Sequence, residues 1–166
     1  MNIEKITERN ASRASHIYAL SWKSAYRGIV PQAYLDELSL ERWTPVLAHS
    51  NRSGYLLCDE GRDVATSSIS AARNEQMEGW GEIMSLYVHP QAFRKGYGAF
   101  LFSYVTEQLK QVGFEKIYLW VLEENVNARA FYERMGFVPN GDRSMISIGG
   151  KECVEIRYVN RESRNR

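Results

Sequence analysis

The chain has 166 residues, a formal charge of +1, 44% hydrophobic residues and 25% charged residues. This length suffices for one domain with its own core, and the near-neutral charge gives no electrostatic basis for a nucleic-acid or membrane partner. The opening MNIEKITERN has no apolar run for a signal peptide, and no stretch approaches the roughly 20 apolar residues of a membrane span. Residues 2–7 read as a first strand. In residues 11–27, Ala14, Ile17, Tyr18, Trp22 and Ala25 recur at helical spacing; Gly28 ends that helix, and Pro31 opens a second helical segment through about Leu47. Tyr55–Asp59 and Val64–Arg73 form a hairpin turned at Glu60-Gly61-Arg62, and Trp80–Val88 follows as a fourth strand. A helix from about Gly98 to Val112 lines Leu101, Tyr104, Val105, Leu109 and Val112 on one face, with Gly113 as its stop. Ile117–Leu122 is an unbroken apolar run suited to a strand covered on both faces. Asn125 and Asn127 are both N-cap candidates for the helix that follows, and Gly136 is its stop. Strands at about 143–148 and 152–159 meet at Gly149-Gly150, and a polar tail occupies 161–166. The fold class is α+β, with one domain over residues 1–160 and one central sheet.

Two segments carry the functional signal. The first is GEIMSLYVHPQAFRKGYGAFL, residues 81–101. A strand runs through His89-Pro90 into a corner where Gly96 and Gly98 bracket Tyr97, with Arg94 and Lys95 just ahead. Glycine admits close backbone approach, and the first amides of a helix have no intrahelical acceptor. Together with the helix dipole and two cationic side chains, they form a socket for phosphate. A dinucleotide fold would want a third glycine where Leu101 stands, and a P-loop would want Gly-Lys-Ser/Thr; neither is present.

The second segment is IYLWVLEENVNARAFYERMGF, residues 117–137. It meets the pattern Asn-x-x-Ala-x-x-Phe-Tyr-x-x-x-Gly-Phe at Asn125, Ala128, Phe131, Tyr132, Gly136 and Phe137. The corner follows a strand and a proline and fits Gln/Arg-x-x-Gly-x-Gly/Ala in length, with Phe93 in place of Gln/Arg and Arg94 in place of a common glycine. With both patterns at the right separation, the chain resembles the GNAT superfamily of acyl-CoA-dependent N-acyltransferases. The resemblance implies a mixed, mostly antiparallel sheet flanked by helices and splayed between strands 4 and 5. It also implies acetyl-CoA as cosubstrate, no metal, and a small-molecule or peptide amine as acceptor. Because dimers are frequent among relatives, it leaves a homodimer open.

On this reading the corner residues Arg94, Lys95, Gly96, Tyr97, Gly98 and Ala99 hold the pyrophosphate. Tyr87 and Val88 line the pantetheine arm by backbone pairing, and Asn125 both caps its helix and touches coenzyme. The loss of a Gln/Arg side chain at Phe93 costs about 0.5–1.5 kcal/mol of hydrogen bonding. Acyl transfer to an amine requires a base, an oxyanion donor and a proton donor for the departing thiolate. The resemblance assigns the base to Glu82 and the oxyanion donor to the backbone N–H of Leu86. Pleat alternation, at a spacing of four, puts Glu82 and Leu86 on the same sheet face. Tyr132 is the acid: its neighbour Phe131 lies on the apolar face, so Tyr132 points about 100° away, towards the cofactor.

The acceptor side is less specific. Trp22 and Tyr26, with Tyr34, either wall an aromatic slot for a cation or pack into the core. Asp36, Glu37, Glu152 and Glu155 either attract an amine or are simply solvated. Polyamines, aminoglycosides, amino acids and peptide N-termini all remain open as acceptors. Cys58 and Cys153 are expected as free thiols, with a cytoplasmic location as the default. His16, His49 and His89 have no metal-ligand spacing. A non-catalytic acyl-CoA sensor and a protein-modifying N-acetyltransferase stand as alternatives.

Overall fold

The computed structural model describes residues 1–161. Seven strands, β1 (Asn2–Lys5), β2 (Ser53–Asp59), β3 (Arg62–Ala71), β4 (Gly81–Val88), β5 (Ile117–Leu122), β6 (Phe137–Ile148) and β7 (Lys151–Asn160), form one sheet in the order β1-β2-β3-β4-β5-β7-β6. Every neighbouring pair is antiparallel except β4 and β5. One face carries α1 (Ala11–Ala25), α2 (Gln32–Asp36) and α3 (Thr44–Ala48); the other carries α4 (Tyr97–Gln111) and α5 (Val126–Arg134).

The periodic residues decide which face each helix buries. On α1, Ala14, Ile17, Tyr18 and Ser21 are all buried, a single stripe at spacings of three and four. On α4, Leu101, Phe102, Val105 and Leu109 enter the main core with Ile83, Leu119, Tyr132 and Phe137. Each such side chain contributes about 1.5–3 kcal/mol by leaving water. The apolar run Ile117–Leu122 is covered on both faces as expected: α4 lies over one, and on the other Tyr118 packs with Met77 and Leu122 with Leu35 of α2.

Most boundaries differ from the sequence expectation by a residue or two. The second helical segment is broken into α2 and α3 by turns around residues 39–43. Strand β6 begins at Phe137, six residues before the expected 143, and passes a register shift between Pro139 and Arg143. The part of the expected tail from 162 to 166 lies outside the described residues; Arg161 still donates its N–H to Gly136 O at 3.1 Å.

Two irregularities shape the centre of the sheet. Parallel pairing of β4 with β5 is confined to Gly81↔Ile117 and Glu82↔Tyr118, so the two strands part beyond Glu82. In β4, Ile83 and Ser85 face the consecutive residues Ile69 and Ser68 of β3, leaving Met84 as the extra residue of a β-bulge. The bulge flips alternation. Glu82 bonds to Tyr118, while Ser85 and Tyr87 meet Tyr18 of α1; Ile83, Leu86 and Val88 join the α4 core instead. Glu82 and Leu86 therefore lie on opposite faces, contrary to the simple alternation read from a spacing of four.

Candidate active site

The corner after β4 is built from left-handed backbone. A short 3-10 turn over Pro90–Ala92 is closed by His89, whose Nδ1 accepts the Gln91 N–H at 3.2 Å. Arg94 then adopts φ +61° and Gly96 φ +85°, the latter as N-cap of α4. Arg94 thus occupies, at a steric cost of about 1–2 kcal/mol, a conformation that glycine adopts freely. Phe93, Arg94, Lys95 and Gly96 are exposed around the first turn of α4, and Ala99 lies partly buried in that turn. Gly98 sits where a Cβ would come 3.3 Å from Val88 Cγ2 and 3.6 Å from Phe131 Cε2. Tyr97 turns away from the corner and donates its hydroxyl to Asp59 Oδ2 at 2.6 Å.

Beside this corner is the gap between β4 and β5. His89 N–H donates to Val64 O of β3 at 2.8 Å. Hydrogen-bond direction alternates along a strand, so Tyr87 also faces β3, and the N–H groups of Leu86 and Val88 face the edge that β5 has left. Across the gap, Asn125 accepts the Ala128 N–H at 3.3 Å and caps α5, so of the two cap candidates it is Asn125. Tyr132 is buried, its ring 5.7 Å from Phe102 and 6.4 Å from Tyr158. Phe131 packs on the same Phe102 at 5.8 Å, so the two aromatic neighbours share a cluster rather than parting to separate faces. Burial raises the Tyr132 pKa, with a further push from the Tyr87 phenol.

The α1 side of the gap is a wall of phenols and indole. Trp22 Nε1 donates to Tyr87 OH at 3.0 Å, and the Tyr26 ring packs edge-on to Trp22 at 4.7 Å. Burial lifts the Tyr26 pKa to about 12 and that of Tyr87 well above the ordinary value. Trp22, Tyr26 and Tyr34 are each partly buried against Leu35, Leu122 and Cys153, so they are core and wall at once. Asp36, Glu37 and Glu152 are exposed, whereas Glu155 is half-buried.

Glu82 is only 2% exposed. Arg73 grips it with Nη2 to Oε1 at 2.6 Å, Nε to Oε2 at 3.1 Å and its backbone N–H to Oε2 at 3.3 Å; Tyr118 donates its hydroxyl to Oε2 at 2.9 Å. Burial alone would raise the carboxyl pKa, but the Arg73 ion pair and the Tyr118 hydroxyl outweigh it and leave it lowered. Burial of the ring, then the same carboxylate, pushes Tyr118 up to about 12.

Arg73 and Tyr118 were not singled out for this site from the sequence, whereas Glu155 was one of four acids read as either attracting an amine or solvated. A signal for Arg73 did exist: antiparallel β3 and β4 pair Ser70 with Glu82, bringing the cation after β3 back over the acid of β4. Cys58 and Cys153 are free thiols. Among the described residues there is no metal-binding cluster of His, Cys, Asp or Glu, and no helix is long and apolar enough to cross a membrane.

Comparison with known proteins agrees with this geometry. Residues 14–137 match the model of the acetyltransferase (GNAT) family. The uncharacterized N-acetyltransferase YuaI of Bacillus subtilis (strain 168) is 29% identical over 112 residues, 66% of this chain and 64% of that protein. The match thus spans less than two thirds of that relative's length. The fold superposes on the PaiA N-acetyltransferase of Thermoplasma acidophilum in complex with coenzyme A, with a TM-score of 0.71 and 16% identity over 94% of this chain and 98% of that one. It also superposes on the ribosomal-protein-alanine N-acetyltransferase of Brucella melitensis, with a TM-score of 0.73 and 17% identity over 96% and 99% of the two chains. With three quarters of its length matched by the family model, the chain belongs to the GNAT acetyltransferase family.

Proposed function

We propose that the protein transfers the acetyl group of acetyl-coenzyme A to a primary amine by direct attack. The observation that carries this reading is the junction of β4 and β5, where pairing stops after two residue pairs beside a left-handed corner at a helix N-terminus. Such a corner supplies amides, dipole and the Arg94 and Lys95 charges to a pyrophosphate. The opened edge of β4 offers the Leu86 and Val88 backbone to the pantetheine arm, and Asn125 and Tyr132 stand on the opposite side. The acceptor enters over Trp22 and Tyr26.

In this scheme Leu86 N–H polarises the thioester carbonyl and stabilises the developing oxyanion. Tyr132, kept protonated by its raised pKa, donates a hydrogen bond to the departing sulfur. Glu82, held by Arg73 and Tyr118, supplies fixed negative charge behind the acceptor. The free thiols of Cys58 and Cys153 are consistent with a reducing compartment such as the cytoplasm.

The test combines calorimetry with coenzyme A and thiol release from acetyl-CoA across polyamine, aminoglycoside, amino-acid and peptide acceptors. Coenzyme heat together with thiol release on at least one amine is the expected result. Heat without turnover on any amine would make the protein a coenzyme sensor, and no heat at millimolar coenzyme would overturn the reading.

A further inference from the structure

We propose that the Glu155 carboxylate takes the proton from the acceptor's ammonium group. This inference rests on the acetyl-transfer reading and deepens it by naming the base.

Position is the first argument. Glu155 lies on β7 opposite Leu122, the last residue of β5 and the end furthest from the two rungs that tie β5 to β4. Cross-strand partners share a face, so Glu155 shares one with Leu122, Trp120 and Tyr118. On that same face Tyr118 meets Glu82. Along β7 the neighbours on this face are Cys153, packed with Trp22, Tyr26 and Leu35, and Arg157. Glu155 therefore lies where the aromatic acceptor wall meets the polar cluster beneath the opened strand.

Charge is the second argument. Tyr26 at the C-cap of α1, Arg73 from the segment after β3 and Glu82 of β4 act on this carboxylate, and Tyr118 of β5 and Arg157 of β7 lie on the same sheet face. Arg73 is committed to Glu82 by three hydrogen bonds. Arg157 is committed to Asp142 at 2.6 Å and to the faces of Trp120 and Tyr118 at 4.5 and 5.3 Å. Both phenols are neutral. Two carboxylates thus share one engaged guanidinium, and the half-buried Glu155, whose carboxylate accepts no hydrogen bond among the described residues, is left over. A proton or an ammonium group resolves that excess negative charge.

Basicity agrees. Burial, then the Glu82 charge, raises the Glu155 pKa, with Arg73 pulling the other way. A carboxylate shifted towards neutrality is a stronger base than Glu82, whose oxygens already hold four donors. The step balances as follows. R–NH3⁺ passes one proton to Glu155 and becomes R–NH2, whose lone pair forms the N–C bond as the C=O pair moves to oxygen. The adduct re-forms C=O and breaks C–S, its second nitrogen proton ends on the thiolate, and Glu155 returns its own proton to water.

The test uses the full chain with acetyl-CoA and three acceptors, spermidine, tyramine and an alanyl tripeptide, following thiol release against pH. Glu155→Gln is expected to lower kcat/KM by about 10²-fold or more and to erase the acidic limb of the profile, with coenzyme A heat unchanged. Glu155→Asp is expected to keep the limb and part of the rate. Turnover of Glu155→Gln within about threefold of wild type with the limb intact, or loss of the limb in Glu82→Gln instead, overturns the assignment. Wild-type enzyme that binds coenzyme yet releases no thiol overturns the acetyl-transfer reading, and Glu155's role with it.

Discussion

Arg73 and Glu82 form a two-pronged ion pair, Nη2 to Oε1 at 2.6 Å and Nε to Oε2 at 3.1 Å, in which the acid is buried and the base lies largely at the surface. Removing the cation leaves a buried carboxylate with only the Tyr118 hydroxyl and the backbone N–H of residue 73 as donors. Arg73→Met should lower stability at pH 7 by about 1–3 kcal/mol, less than the loss of a fully buried pair because Arg73 is wet. The pH dependence has a definite sign. The folded-state pKa of Glu82 is depressed, so its stabilisation is present above the unfolded value of about 4.3 and is lost as pH falls through the folded value. Thermal melts between about pH 3 and 7 should show this acid loss in wild type and much less of it in Arg73→Met.

Glu155 should behave oppositely. Its folded pKa is raised, so the folded state favours the protonated form, and stability falls as pH climbs from the unfolded value through the folded one. Glutamine mimics the neutral form, so Glu155→Gln should melt higher than wild type at pH 7, by roughly 2–4 °C per kcal/mol recovered. A variant no more stable than wild type would show that burial does not strain this carboxylate.

The corner predicts a clean separation of binding from folding. A side chain at residue 98 would extend past a Cβ already 3.3 Å from Val88 Cγ2, into the space between β4 and α5. Gly98→Val should abolish coenzyme heat in calorimetry while circular dichroism remains native. Arg94→Gly should relieve the left-handed backbone at φ +61° and reduce the salt dependence of coenzyme binding by removing a charge.

Tyr132→Phe keeps the ring that packs on Phe102 and removes only the hydroxyl. The expected result is a kcat fall of about tenfold or more with an unchanged coenzyme Kd, checked by steady-state kinetics and calorimetry. Unchanged turnover would remove Tyr132 from the departure of the thiolate.

On the acceptor side, Gly149 has φ +59°, and a Cβ there would stand 2.7 Å from Tyr34 Cβ. Gly149→Ala should cost about 1–3 kcal/mol by combining that overlap with backbone strain. It should also raise KM for the amine while leaving coenzyme affinity unchanged, because the β6–β7 turn braces the helix that carries Tyr34.

The backbone of the site was largely legible because it rests on local rules. Gly113 and Gly136 adopt the positive φ expected of helix stops, and Asn125 is a cap as its side-chain chemistry favours. The facing of Glu82 and Leu86 was misread because one extra residue, Met84, reverses alternation, and nothing in its side chain announces a bulge. The network around Glu82 was missed because its members, Arg73 and Tyr118, come from different elements and converge only through sheet register. Glu155 stood in the sequence as one of four acids with nothing to set it apart from the others; Asp36, Glu37 and Glu152 are exposed and Glu155 alone is half-buried.

The two rungs at Gly81 and Glu82 leave the protein as a pair of β-leaves hinged near one end. A coenzyme arm lying in the gap would act as a wedge that stops the leaves from flexing against each other. Protection from hydrogen exchange should then spread on coenzyme binding into Trp120–Leu122, well beyond the atoms the ligand touches.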